Sequence, residues 1–126
     1  MDLLLDTHAF IWWDSDNPSL GRGAAAAIAD PGNRIFVSAA SVWEIAVKAR
    51  LGRLVFAGSP SAAIGSNGFT SLPILPEQAE AAADLPDVHQ DPFDRILIAQ
   101  ALARRLVLVT ADQKIRQYAV PVLWAR

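Results

Sequence analysis

Asp6 comes directly after the apolar run Leu3-Leu4-Leu5, and Asp112 comes two residues after the run Leu106 to Thr110. Glu44 stands three residues after Ser41, and Asp94 three residues after Asp91. Short apolar runs of this kind read as buried strands. In an open α/β sheet, ligands bind outside the carboxyl ends of the strands. If the two runs are neighbouring strands, Asp6 and Asp112 share one crevice. Helices whose first turns lie at the same sheet edge then add Glu44 and Asp94. Four convergent carboxylates raise one another's pKa values, and some would keep a proton. A divalent cation removes that cost. Hard oxygen ligands, in a chain with no cysteine and two histidines, suit Mg²⁺ or Mn²⁺ rather than zinc. The chemistry such a site supports is metal-assisted hydrolysis of a phosphodiester, in which the cation polarises the phosphoryl oxygen and acidifies a bound water.

Each acid also has a local structural reading. Ser41 and Glu44 form an S-x-x-E capping box, and Glu44 with Lys48 makes an i, i+4 ion pair. Asp94 in a first helical turn suits the macrodipole. Asp91 is a ready N-cap and pairs at i, i+4 with Arg95, and Asp112 caps the helix it opens. Asp91 is read as structural. Asp6 has no evident local task, and a carboxylate ending a buried strand is expensive. The joint pattern, not any single residue, carries the functional reading.

The elements that must position these acids alternate between strand and helix. Asp2 to Asp6 and Arg34 to Val37 read as strands, Phe69 to Ile74 as a third with Pro73 demoting its far end to an edge, Leu106 to Val109 as a fourth and Val120 to Trp124 as a last one. Between them lie a helix over the Ala24–Ala27 run capped by Ser19, a helix from Ser41 to Leu51 with Gly52 just beyond it, and a short helix around Ser61 to Ser66. Pro76 to Leu85 is another short helix with proline at its start. Asp91 to Arg105 is the strongest helix, with Asp91 at the N-cap and Pro92 at N1. Asp112 to Tyr118 is a short one. Fully apolar strands alternating with helices imply a parallel sheet covered on both faces.

Composition fits this class. The chain has 126 residues, is 52% hydrophobic and carries a formal net charge of −2. That is one domain's worth of chain with enough apolar mass for a core. Weak acidity argues against a protein that coats nucleic acid by bulk charge. The absence of cysteine excludes a disulfide framework and a thiol nucleophile. No apolar stretch is long enough to span a membrane. The N-terminal residues lack a basic region and a signal-length apolar segment, so a cytoplasmic location is expected.

The four acid-bearing segments resemble a known family. Met1-Asp2-Leu3-Leu4-Leu5-Asp6-Thr7-His8-Ala9 resembles the start of a PIN domain. Ser38 to Lys48 resembles the second PIN motif, His89 to Ala101 (with Asp91-Pro92-Phe93-Asp94-Arg95) the third, and Leu108 to Asp112 the fourth. Within that family the chain is similar to the VapC-type toxins of bacterial toxin–antitoxin pairs. The resemblance spans residues 1–126 as a single PIN domain. It implies an α/β, three-layer fold with a parallel sheet of about five strands in the order 3-2-1-4-5, flanked by helices. It implies a Mg²⁺- or Mn²⁺-dependent endoribonuclease that inhibits translation and growth. Asp6, Glu44, Asp94 and Asp112 match the acidic quartet. Asp6 and Asp94 match the direct metal ligands, with Asp112 joining directly or through water and Glu44 holding water or a second metal. Thr7 and Thr110 match the small hydroxyl residues that support the carboxylates. The resemblance further implies a small VapB-like antitoxin whose C-terminal segment occupies a groove of the toxin, a homodimer that joins antitoxin dimers, and DNA contact through the antitoxin only.

Lys48 and Arg50 are candidates for RNA phosphate contacts, and Arg104 and Arg105 read as a solvated helix end. Trp43 reads as core, and Trp12 and Trp13 as core or partner contacts. His8 reads as a locally hydrogen-bonded histidine, and His89 is assigned no role. A phosphatase of the haloacid dehalogenase type needs a second Asp two residues after the first, where this chain has His8. A receiver domain needs an Asp after a middle strand, where Ser38 follows Val37. No Gly-rich phosphate loop is present. The non-enzymatic alternative is a PIN-like module that only binds RNA or a protein, and the presence of all four acids counts against it.

Overall fold

A computed structural model describes residues 1–126. Five strands, β1 (Asp2–Leu5), β2 (Arg34–Ser38), β3 (Thr70–Leu72), β4 (Val107–Thr110) and β5 (Val122–Trp124), form one sheet. Every neighbouring pair is parallel, and the order is β3-β2-β1-β4-β5. The 3-2-1-4-5 order implied by the resemblance is therefore present. β1 is central, with Leu5 opposite Val37 on one side and Val109 on the other. The acids that follow β1 and β4 consequently emerge side by side.

The strands are apolar throughout because both faces are covered. Side chains alternate along a strand. Leu3 and Leu5 pack with Phe10, Ile28, Val37, Ile45 and Val109, whereas Leu4 packs with Phe36, Leu97, Ile98 and Leu108. The helices are α1 (Thr7–Asp14), α2 (Arg22–Ala29), α3 (Ala39–Arg50), α4 (Pro60–Ser66), α5 (Pro76–Asp84) and α6 (Pro92–Arg104), with a 3₁₀ turn at Ile115–Gln117. No helix is long and apolar enough to cross a membrane.

Three local expectations change. The cap of α2 is Gly21 rather than Ser19. The Gly21 amide donates to the Ala125 carbonyl at 2.8 Å, and a Cβ there would lie 2.3 Å from the Arg126 backbone. A contact with the far end of the chain sets that boundary. The helix expected from Ser41 begins earlier, at Ala39, with Ser38 as its N-cap. Ser41 is therefore buried inside α3, and the expected capping box with Glu44 does not form. The segment after Asp112 makes only a single 3₁₀ turn.

Arg95 differs most from its expected pairing with Asp91. Its guanidinium instead donates to the carbonyls of Ala82, Ala83, Leu85, Pro86 and His89, at 2.8 to 3.2 Å. Those carbonyls end α5 and line the loop into α6. The last carbonyls of a helix have no partner within it, and a rigid fork of five donors suits several of them at once. Lysine offers three donors from one atom and cannot span the set. Arg95→Lys should lower the unfolding free energy by about 1–3 kcal/mol, read from the urea midpoint. An unchanged midpoint would show that the clamp contributes nothing.

Candidate active site

Asp6 is the first residue after β1, and its extended backbone makes it the N-cap of α1. Its Oδ1 accepts from the Ala9 amide at 2.8 Å. The residue thus has the local task that its sequence context did not reveal, and the cap uses one oxygen only. Asp94 lies in the first turn of α6. Asp91 caps that helix, accepting from the Phe93 and Asp94 amides at 2.8 and 3.2 Å, as its structural reading required. Asp112 follows β4 and bends back on itself: its Oδ1 accepts from the Lys114 amide at 2.8 Å, while its own amide donates to Thr110 Oγ1 at 3.0 Å.

Glu44 is buried, and both of its oxygens are engaged. Oε1 accepts from Thr7 Oγ1 at 2.6 Å and Oε2 from Lys48 Nζ at 2.5 Å. Ser41 Oγ lies 3.0 Å from Thr7 Oγ1. Thr7 Oγ1 is placed to donate to either partner, and its single proton favours the shorter bond, to Glu44. The Glu44 bond also holds Lys48 above the usual lysine pKa, although partial burial opposes it.

All four acids line one cleft of 470 Å³, together with His8, Trp12, Lys48, His89, Asp91 and Arg126. Burial is the main cause that pushes Asp94 up to about 8, and the negative charges of Asp91, Asp6, Glu44 and Asp112 add to it. Burial also raises Asp6, against hydrogen bonds from the Thr110 hydroxyl and the Ala9 amide. Thr7 and Thr110 thus each serve a carboxylate, Thr7 at Glu44 and Thr110 at Asp6.

Sequence reasoning missed His89. Its Nε2 lies 2.9 Å from Asp94 Oδ2 and 3.0 Å from Asp112 Oδ2, and the residue is buried. The ligand atoms of His89, Asp94 and Asp112 lie within 4.8 Å of one another, a separation that could hold a metal ion. Asp6 lines the same cleft without joining that group. The available signal was position: His89 precedes the Asp91 cap by two residues.

Other expectations divide. Lys48 lines the cleft, whereas Arg50 is exposed and lies outside its lining. Arg126, not singled out from the sequence, lines it and stands 5.4 Å from the centre of the Trp12 ring. Arg104 stands over Phe36, and Arg105 takes the left-handed position that ends α6. Trp43 is 63% exposed rather than core and meets Phe93 edge-on at 5.3 Å. His8 is exposed and lies beside Trp12, the ring centres 6.0 Å apart and the planes tilted by 45°, and it makes none of the hydrogen bonds expected of it.

A PIN domain model matches residues 3–121. The chain belongs to the PIN domain family. It is 30% identical over 122 residues to ribonuclease VapC22 of Mycobacterium tuberculosis, covering 94% of this chain and 93% of that protein. In fold, this PIN domain is similar to the VapBC2 complex of Rickettsia felis bound to a promoter DNA fragment, with a TM-score of 0.68, 13% identity and 98% of each chain covered. It is also similar to a toxin–antitoxin complex from Klebsiella pneumoniae, with a TM-score of 0.65, 22% identity and 98% of each chain covered.

The raised pKa of Asp94 has a thermodynamic consequence. The unfolded chain ionises this group near 3.8, and the folded chain near 8. Between those values the folded state holds the extra proton, so the metal-free protein loses stability as pH rises through that window. The cost by pH 8 is on the order of a few kcal/mol. Asp94→Asn should raise the metal-free melting temperature at pH 8, do little at pH 3, and flatten the slope between them. An asparagine variant no more stable than wild type at pH 8 would rule out this cost.

Proposed function

We propose that this PIN domain is a VapC-type toxin, a metal-dependent endoribonuclease that hydrolyses RNA phosphodiester bonds and so inhibits translation and growth. The observation that carries the reading is the convergence of Asp6, Glu44, Asp94 and Asp112 on one cleft, with Asp94 driven up to about 8 by burial and its acidic neighbours. Oxygen donors crowded to that degree fit a hard divalent cation, Mg²⁺ or Mn²⁺. Asp94 offers Oδ1, which takes no hydrogen bond from the protein, and Asp6 and Asp112 complete the carboxylate set that would hold the ion. When bound, the cation supplies neutralising charge, a polarised phosphate and an acidified water. Glu44, fixed by Thr7 and Lys48, orients water at the cleft wall. Lys48 and Arg126 meet RNA phosphates at the rim, and Arg50 extends that contact beyond it.

The relatives support the biological setting. One bears the name ribonuclease, and two similar folds come from toxin–antitoxin complexes. The partners proposed for this chain are an RNA substrate, a VapB-like antitoxin, a second copy of itself in a homodimer, and DNA through the antitoxin only. The place of action is the cytoplasm.

Purified protein should cleave RNA with Mg²⁺ or Mn²⁺ and stop when EDTA is added. Asp6→Asn and Asp94→Asn should each abolish cleavage and growth inhibition while circular dichroism stays native. Cleavage retained by folded Asp94→Asn protein, or activity that resists EDTA, would overturn the assignment. Sequencing RNA ends after brief expression without antitoxin identifies the target.

A further inference from the structure

His89 is tied down at every polar atom. Its amide donates to Tyr118 Oη at 2.8 Å, and that hydroxyl donates on to the Pro86 carbonyl at 2.6 Å. Its carbonyl accepts from Arg95 Nη1 at 3.0 Å. The ring Nδ1 faces the Asp91 amide at 3.3 Å, and the ring Nε2 faces the two carboxylate oxygens of Asp94 and Asp112.

These partners decide where the ring proton sits. A backbone N–H can only donate, so Nδ1 must present its lone pair. The remaining proton is then on Nε2, the ring is neutral, and Nε2 is a donor. The Asp112 carboxylate oxygen at 3.0 Å agrees with a donor and would repel a lone pair. Ligation of a metal through Nε2 needs the opposite tautomer, with an Nδ1 proton pointed at the Asp91 N–H. The geometry disfavours that arrangement from both ends of the ring.

We infer that His89 is a positioning residue. As a neutral Nε2–H donor it fixes Oδ2 of Asp94 and of Asp112, and does not itself ligate the cation, although it stands within reach of a metal. The inference rests on the metal-dependent reading above. Asp112 then has both oxygens held by the chain, since Lys114 N occupies Oδ1. Asp94 is held by Oδ2 alone, and its Oδ1 would be available to a cation. Groups that orient metal-binding carboxylates in this way typically change metal affinity by about 10–100-fold when removed. The loop carrying His89 is itself set by Arg95 and Tyr118, which bond His89 directly or through Pro86.

Two measurements test this. Long-range ¹H–¹⁵N NMR of the full chain reads the tautomer, with the signal assigned by its loss in His89→Gln. The expected spectrum has a protonated Nε2 and a bare Nδ1, both before and after Mg²⁺ is added. A bare Nε2 that shifts on Mg²⁺ addition would make His89 a ligand and overturn the inference. Mn²⁺ affinity, read from the EPR signal of free Mn²⁺, is the second. His89→Phe keeps the ring and loses the donor, and should weaken binding about 10–100-fold. His89→Gln supplies an amide donor and should restore most of it. Unchanged affinity in folded His89→Phe, with binding lost in Asp94→Asn, would overturn the role of His89 alone. Unchanged affinity in Asp94→Asn as well would overturn the metal site itself. If His89→Phe does not fold, the wild-type tautomer decides.

Discussion

Four carboxylates in one partly buried cleft impose a constraint that the surrounding structure must answer. Like charges at close range cost energy, and burial removes the water that would screen them. The chain answers with directed donors. Asp6 takes the Ala9 amide and the Thr110 hydroxyl. Glu44 takes Thr7 and Lys48, and Asp112 takes the Lys114 amide and His89. Asp94 receives least, a single donor shared with Asp112, and it is pushed up to about 8. The unanswered part of the charge is concentrated where a cation would be most useful.

The parallel sheet makes this concentration affordable. β1 lies between β2 and β4, so the residues after β1 and β4 leave the sheet next to one another. Each then enters a turn or helix whose free amides face a carboxylate. The amides that lack partners at a helix start donate to the capping carboxylates of Asp6 and Asp91. Local backbone need and site electrostatics are met by the same bonds. The loop between α5 and α6 adds a third layer: Arg95 gathers five carbonyls, and the resulting shape delivers His89 to Asp94 and Asp112.

Charge is distributed to match. The chain carries 13 acids and 11 bases. Five acids and two bases line the cleft, which leaves eight acids against nine bases elsewhere. The net acidity therefore resides in the cleft, and the remaining surface is slightly basic. Several bases are already committed elsewhere: Arg34 to Asp2, Arg104 to the Phe36 face and Arg116 to the Trp124 face. Lys48 and Arg126 are the cations that line the cleft.

The strand set, its parallel class and the acids at the strand ends were all legible in the residue pattern. Those features are local: an apolar run of strand length, a proline after an N-capping aspartate, and a carboxylate at a strand's carboxyl end each have one cheap structural solution. Asp91-Pro92 starting α6 is the clearest case. Tertiary structure decided what depends on distant partners. Gly21 starts α2 because Ala125 and Arg126 lie against it. Ser41 leaves its expected cap for Thr7, and Arg95 leaves Asp91 for carbonyls 6 to 13 residues away. Trp43 lies at the surface because its face of α3 is left uncovered. His89 reaches the site because the loop is folded back by Arg95 and Tyr118. A single buried histidine in a loop carries no periodicity, so only the chain's closure could show which two carboxylates it would meet.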